Sequence, residues 1–236
     1  MYKSQYFFNL VVKIRILDFN KRKDIVFLVL AGFFITNAIV AELIGGKLVQ
    51  FFGLFTQSIS IIMWPIIFLL TDLINEYYGK NGVKKLTYIT VGLISFTYII
   101  LAISMSIPAT SFSTVSDGAY TTVFGQSQWI IVGSVTAFLV SQLVDVHIFW
   151  MFKKLTGNKY IWLRATGSTV ISQMIDTFIV QFIAFVVPGK WLFSEFIVNA
   201  SWGYGFKLIV AIVLTPIIYL GHYVIAYYLN KKEEAI

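Results

Sequence analysis

Residues 164–188 read Arg-Ala-Thr-Gly-Ser-Thr-Val-Ile-Ser-Gln-Met-Ile-Asp-Thr-Phe-Ile-Val-Gln-Phe-Ile-Ala-Phe-Val-Val-Pro. The run is long and apolar enough to cross a bilayer as a helix, yet Asp176 stands near its middle. A carboxylate at that depth costs on the order of 3 kcal/mol or more unless it is paired, hydrated or protonated. Ser172 and Asp176 are four residues apart and share a helical face, with Gln173 at its edge. Such side chains either glue one helix to another or form a ligand or proton site inside a helix bundle. The depth of the carboxylate favours the site.

The rest of the chain fits a bundle. Of 236 residues, 58% are apolar and 12% charged, about half the charged fraction of a soluble domain, and the mean hydropathy is +0.81. The expected fold is an all-α membrane protein. Apolar runs place six transmembrane helices near 25–44, 57–77, 85–107, 128–152, 164–187 and 204–229. Residues 25–229 then form one membrane domain, 1–24 a basic amphiphilic segment suited to an anionic leaflet, and 230–236 a tail. Lys and Arg in alternate loops number 15 against 2, with Lys207 left inside the last span. This asymmetry puts both termini in the cytoplasm. It also explains the net charge of +7 without a nucleic-acid partner. Cysteine is absent, which excludes disulfides and thiolate metal sites, and no residue spacing calls for a metal or other cofactor.

Several polar residues fall within the spans. Thr71, Asp72, Asn75 and Glu76 lie in the second, and Ser141-Gln142-x-x-Asp145 in the fourth repeats the Ser172-Gln173-x-x-Asp176 pattern of the fifth. Three spans followed by three allow a 3+3 inverted repeat that would pair Asp72 with Asp176, as in transporters that bind substrate at the midplane. Asp72, Asp145 and Asp176 are therefore candidates for coupling to H+ or Na+. Trp64 lies outside the interfacial tryptophan belts and directly before Pro65, which is expected to bend the second span. Glu76 reads as a solvated helix end, Arg164 as a topology charge, and His147 and His222 as structural histidines. Residues 108–127, with eight Ser or Thr, read as a lid or short external helix, and residues 190–199 as a separate interfacial helix.

Together these residues resemble the queuosine precursor transporter family, also known as a vitamin uptake transporter family. The resemblance is carried by Asn37 and Lys47 around the end of the first span, Pro65 through Gly79 in the second, Ser141-Gln142-x-x-Asp145, and Arg164 through Thr177. It implies six helices in a prokaryotic plasma (inner) membrane and import of a small molecule, a 7-deazaguanine base such as 7-cyano-7-deazaguanine, 7-aminomethyl-7-deazaguanine or queuine. The expected mode is ion-coupled secondary transport without enzymatic activity. The expected substrate-binding residues are Asp176, Gln173, Asp72, Trp64, Asn75, Asp145, Gln142 and Asn37. A carboxylate suits the two adjacent donors of a guanine-like edge, an amide the neighbouring carbonyl, and an indole the ring face. A homo-oligomer is left open. The chief rival is a vitamin-binding subunit served by a separate ATP-driven module; an intramembrane aspartyl protease would need aspartate motifs that this chain lacks.

Overall fold

In a computed structural model, residues 21–53, 55–126, 128–156 and 160–230 are described. Most of the basic N-terminal segment and the tail from Lys231 lie outside them. Six α-helices and one small hairpin make up the described chain: α1 (Arg22–Ile44), strands β1 (Leu48–Phe51) and β2 (Phe55–Ser58), α2 (Met63–Ser106), α3 (Asp117–Phe124), α4 (Gln128–Thr156), α5 (Ile161–Gln181) and α6 (Phe193–Asn230). Five helical stretches are long and apolar enough to cross a membrane, and large apolar residues such as Phe33, Phe96 and Ile209 face outward. The chain is a multi-pass membrane protein.

Helix α2 has 44 residues, about 66 Å at 1.5 Å per residue and roughly twice the hydrocarbon thickness. It is broken at Gly79, whose φ of 74° and ψ of 177° no helix accommodates and few L residues tolerate. Two helical limbs thus meet at Gly79, where the charge pattern places a loop. Pro65 does not bend a span. A single 3-10 turn (Ile59–Ile62) precedes α2, so Pro65 falls in its first turn, where the missing N–H would have had no helical partner.

Another expectation is corrected. Residues 190–199 do not form a separate interfacial helix, because α6 runs unbroken from Phe193. The segment between α1 and α2 forms an antiparallel hairpin, registered Leu48 to Ser58 and Phe51 to Phe55, whose second strand takes the first residues of the span placed at 57–77. Ser58 fastens its base by donating to the Gly45 carbonyl at 2.8 Å. Its aromatic side rests on α6, with Phe55 stacked on Trp202 and Phe51 tilted against Phe206. The 108–127 segment carries the short exposed helix α3, which Ser116 caps.

The antiparallel pair α4 and α5 has the most extensive contact, with α2 and α6 packed around it and α1 against α2. Glycine sets the closeness of that pair at both ends. A methyl group on Gly133 would come within 3.0 Å of the Val180 carbonyl oxygen, and one on Gly167 within 2.9 Å of the Phe152 ring. Small residues at a membrane helix interface let backbones approach in this way. Beyond Gln181, α5 widens into a π turn (Phe182–Val186), a local distortion often found beside functional sites.

Candidate functional site

The close α4–α5 contact brings the two Ser-Gln-x-x-Asp pentads face to face, and they pair crosswise. Ser172 Oγ donates to Asp145 Oδ1 at 2.9 Å, and Ser141 Oγ donates to Asp176 Oδ1 at 3.3 Å. From Arg164 to Gln181, a rise of about 26 Å along the helix, α5 lines a buried polar column. The column has three levels.

At the hairpin end lies a cavity of about 80 Å³, with room for several waters at about 10–15 Å³ each. Its polar wall includes Glu42 from α1, Gln57 from the hairpin, Ser134 from α4, Asp176 and Gln181 from α5, and Lys207 from α6. Trp64 forms part of the apolar wall, its indole held against Phe138 at a centroid distance of 5.6 Å. Lys207 Nζ reaches Asp176 Oδ2 at 2.7 Å, and both side chains are almost wholly buried. Glu42 is 4% exposed. It accepts from Ser134 Oγ and, at 2.8 Å, from Tyr98 Oη. Gln126, at the end of the α3 segment, closes over this corner by donating to the Glu42 backbone carbonyl at 2.6 Å.

The middle level is a second polar cluster. Asp145 takes its bond from Ser172, while Thr169 Oγ1 donates to Asp72 Oδ2 at 3.3 Å. Gln142 Oε1 accepts from Thr71 at 3.0 Å, and Asn75 Oδ1 from Trp150 Nε1 at 3.1 Å. Asp72 Oδ1, Asp145 Oδ2, Asn75 Nδ2, Gln142 Nε2 and both polar atoms of Gln173 are buried without a hydrogen-bond partner among the described residues. Unpaired buried polar atoms cost about 1–3 kcal/mol each, so this many in one region marks a place held for something other than stability.

At the Gly79 end the column is closed by charge. Glu76 is bridged by Arg164 at 2.8 Å and by Lys153 at 3.2 Å. Glu76, at the end of its helical limb and 18% exposed, is ion-paired rather than freely solvated, and Arg164, 1% exposed, is no surface topology charge. His222 meets Tyr77, whose hydroxyl lies 2.7 Å from Nδ1, and His147 lies within 2.5 Å of the Leu143 carbonyl of its own helix.

The structure therefore divides the residues that the sequence suggests for substrate. Asp176 and Trp64 line the cavity. Asp72, Asn75, Gln142, Asp145 and Gln173 belong to the middle level and do not line it. Asn37 donates to the Phe33 carbonyl of its own helix at 2.8 Å, away from the cavity. Reading the sequence misses Glu42 and the pairing of Lys207. A lone lysine inside a strongly apolar span was the available signal for the second, whereas the burial of Glu42 depends on Tyr98, Ser134 and Gln126, all remote in sequence.

Comparison with known proteins bears on what this column serves. A "Probable queuosine precursor transporter" of Bacillus subtilis is 34% identical over 142 residues, 59% of this chain and 61% of the relative. A protein of the same description from Haemophilus influenzae is 27% identical over 163 residues (68% and 66%), and the "Queuosine precursor transporter" of Escherichia coli 26% over 152 (64% and 65%). The matches span less than two thirds of each relative's length. No solved structure matches the chain. Residues 58–221, which contain the middle level, the Glu76 ion pairs and the cavity residues Trp64, Asp176 and Lys207 but not Glu42 or Gln57, match the family described as "Putative vitamin uptake transporter", and the chain belongs to that family, the family of the queuosine precursor transporters.

Proposed function

We propose that the chain imports a queuosine precursor, a 7-deazaguanine base, across a prokaryotic plasma membrane, and that the cavity at the hairpin end is where the base binds. The observation that carries this reading is the Lys207–Asp176 pair in the cavity wall. A guanine-like edge presents a carbonyl acceptor followed by two N–H donors. An ammonium beside a carboxylate offers the complementary order, one donor followed by two acceptors, and both charged groups form strong hydrogen bonds in a dry site. Lys207 takes the place that the sequence suggests for an amide, since Gln173 does not line the cavity. Trp64, on the same wall, offers an apolar ring face to the base.

The 15-to-2 charge asymmetry supports six spans with both termini in the cytoplasm, the two limbs of α2 counting as separate crossings at Gly79. The hairpin end then faces outward and the Glu76 ion pairs face the cytoplasm. In that orientation the cavity serves a substrate arriving from outside, with Arg164, Lys153 and Glu76 closing the inner end. Asp72 and Asp145, with their unpaired oxygens, suit coupling of uptake to H+ or Na+, and Asp176, held by Ser141, is the third candidate.

The test is competition for uptake by 7-deazaguanine and 7-deazahypoxanthine bases, the second lacking the exocyclic amine. A site that bonds that amine rejects its absence, because a buried acceptor is left unpaired. Wild type should prefer the first, and Asp176→Asn should abolish binding while the protein remains folded in the membrane. Equal competition on wild type would mean that no group reads the amine. Selectivity that survives in Asp176→Asn would move the reading to another carboxylate.

A further inference from the structure

Two further acceptors, Glu42 and Gln181, stand in the wall of this cavity and have no part in reading the ring edge. Glu42 differs from Asp176 in its company. Asp176 is neutralised by an ammonium at 2.7 Å, whereas Glu42 receives only the hydroxyls of Ser134 and Tyr98 and makes no ion pair among the described residues. A carboxylate has about four lone-pair sites, so two hydroxyl donors leave about half of them open.

Gln181 is 3% exposed, and its neighbours fix the orientation of its amide. Gln57 Nε2 donates to the Asn199 carbonyl at 3.0 Å, which turns Gln57 Oε1 toward α5. There it accepts from Gln181 Nε2 at 3.3 Å. Gln181 Oε1 is thereby left without a partner among the described residues. Gly203 leaves room for this chain of amides, since a methyl group there would come within 2.6 Å of Gln57 Nε2. One open carboxylate and one orphaned carbonyl in a single cavity ask for a group with several N–H donors and a positive charge. An ammonium has three donors and cancels the charge.

We propose that Glu42, assisted by the Gln181 carbonyl, forms a cation subsite for a protonated amine on the substituent of the imported base, so that an aminomethyl precursor is preferred to a neutral nitrile. This rests on the reading of the cavity as the base site. The experiment measures binding of 7-aminomethyl- and 7-cyano-7-deazaguanine to the full chain in lipid nanodiscs, in sodium and in N-methylglucamine buffers. Wild type should bind the amine about tenfold more tightly or better, the usual scale for a charge-assisted bond. Glu42→Gln should bring the ratio near one, with monodisperse reconstitution and an unchanged unfolding temperature as the control for folding. Gln181→Met, which removes no charge, should lower the ratio about threefold and carries the test if Glu42→Gln does not fold. If wild type binds neither base, the cavity reading itself falls. If it binds both equally, or if the preference survives in the variants, the subsite alone falls. Nitrile binding that needs sodium in wild type but not in Glu42→Gln would overturn the subsite by giving Glu42 to an inorganic cation.

Discussion

Ser172 on α5 donates to Asp145 on α4 at 2.9 Å, and the equivalent serine of α4, Ser141, donates in turn to Asp176. Each pentad thus supplies the hydroxyl for the other's carboxylate, which antiparallel helices permit when the two patterns sit at matching depth. Ser172→Ala would remove this bond from a wholly buried Asp145 carboxylate. The variant should be less stable by about 1–3 kcal/mol. Thermal unfolding in detergent checks this, and a double-mutant cycle with Asp145→Asn should show a coupling of about 0.5 kcal/mol or more. Strict additivity would mean that the contact contributes nothing.

Trp64 is 8% exposed, wedged beside Phe138 with part of its surface on the cavity. Trp64→Leu keeps an apolar side chain there but removes most of the stacking face. Base binding should weaken by about 1–3 kcal/mol, the range for stacking a base on an aromatic ring. Normal affinity in a folded variant would reduce Trp64 to packing.

The orientation is open to a direct check. Reporter fusions after Gly79 and Gly157 should report cytoplasm, and fusions near Ser116 and Ser194 the outside. A cytoplasmic signal at Ser116 would remove the six-span topology and with it the outward-facing cavity.

The proposed coupling assigns different work to the middle level than to the cavity. Asp145 does not line the cavity, so Asp145→Asn should bind the base with nearly wild-type affinity yet fail to accumulate it in proteoliposomes under a proton or sodium gradient. Wild-type accumulation against a substrate gradient in de-energised vesicles would refute coupling to either ion.

Where the sequence is informative, its information is periodic and local. The apolar run at 25–44 appears as α1 at 22–44 and the run at 128–152 as α4 at 128–156, because both are bounded by charge or glycine. The pentads show which face of α4 and α5 is polar. Their crosswise pairing needs the depth at which Gly133 and Gly167 lock the two helices, and no single stretch encodes it. The hairpin is hidden in the sequence because its strands are four residues each, too short for an alternating pattern to emerge. Pro65 misleads for a similar reason, since its effect depends on a helix start two residues earlier. Glu42 looks like a helix end in sequence and becomes a cavity wall only when Tyr98 and Ser134 arrive from elsewhere.

The glycine contacts constrain movement as well as packing. With Gly133 against the backbone of α5 at one end and Gly167 against Phe152 at the other, sliding α4 past α5 would cost both serine–aspartate bonds. If the pair holds together as a rail, a cycle that shuts the cavity at the hairpin end and parts Glu76 from Arg164 and Lys153 at the other would be carried by α1, α2 and α6 moving against it, with the break at Gly79 as a hinge within α2.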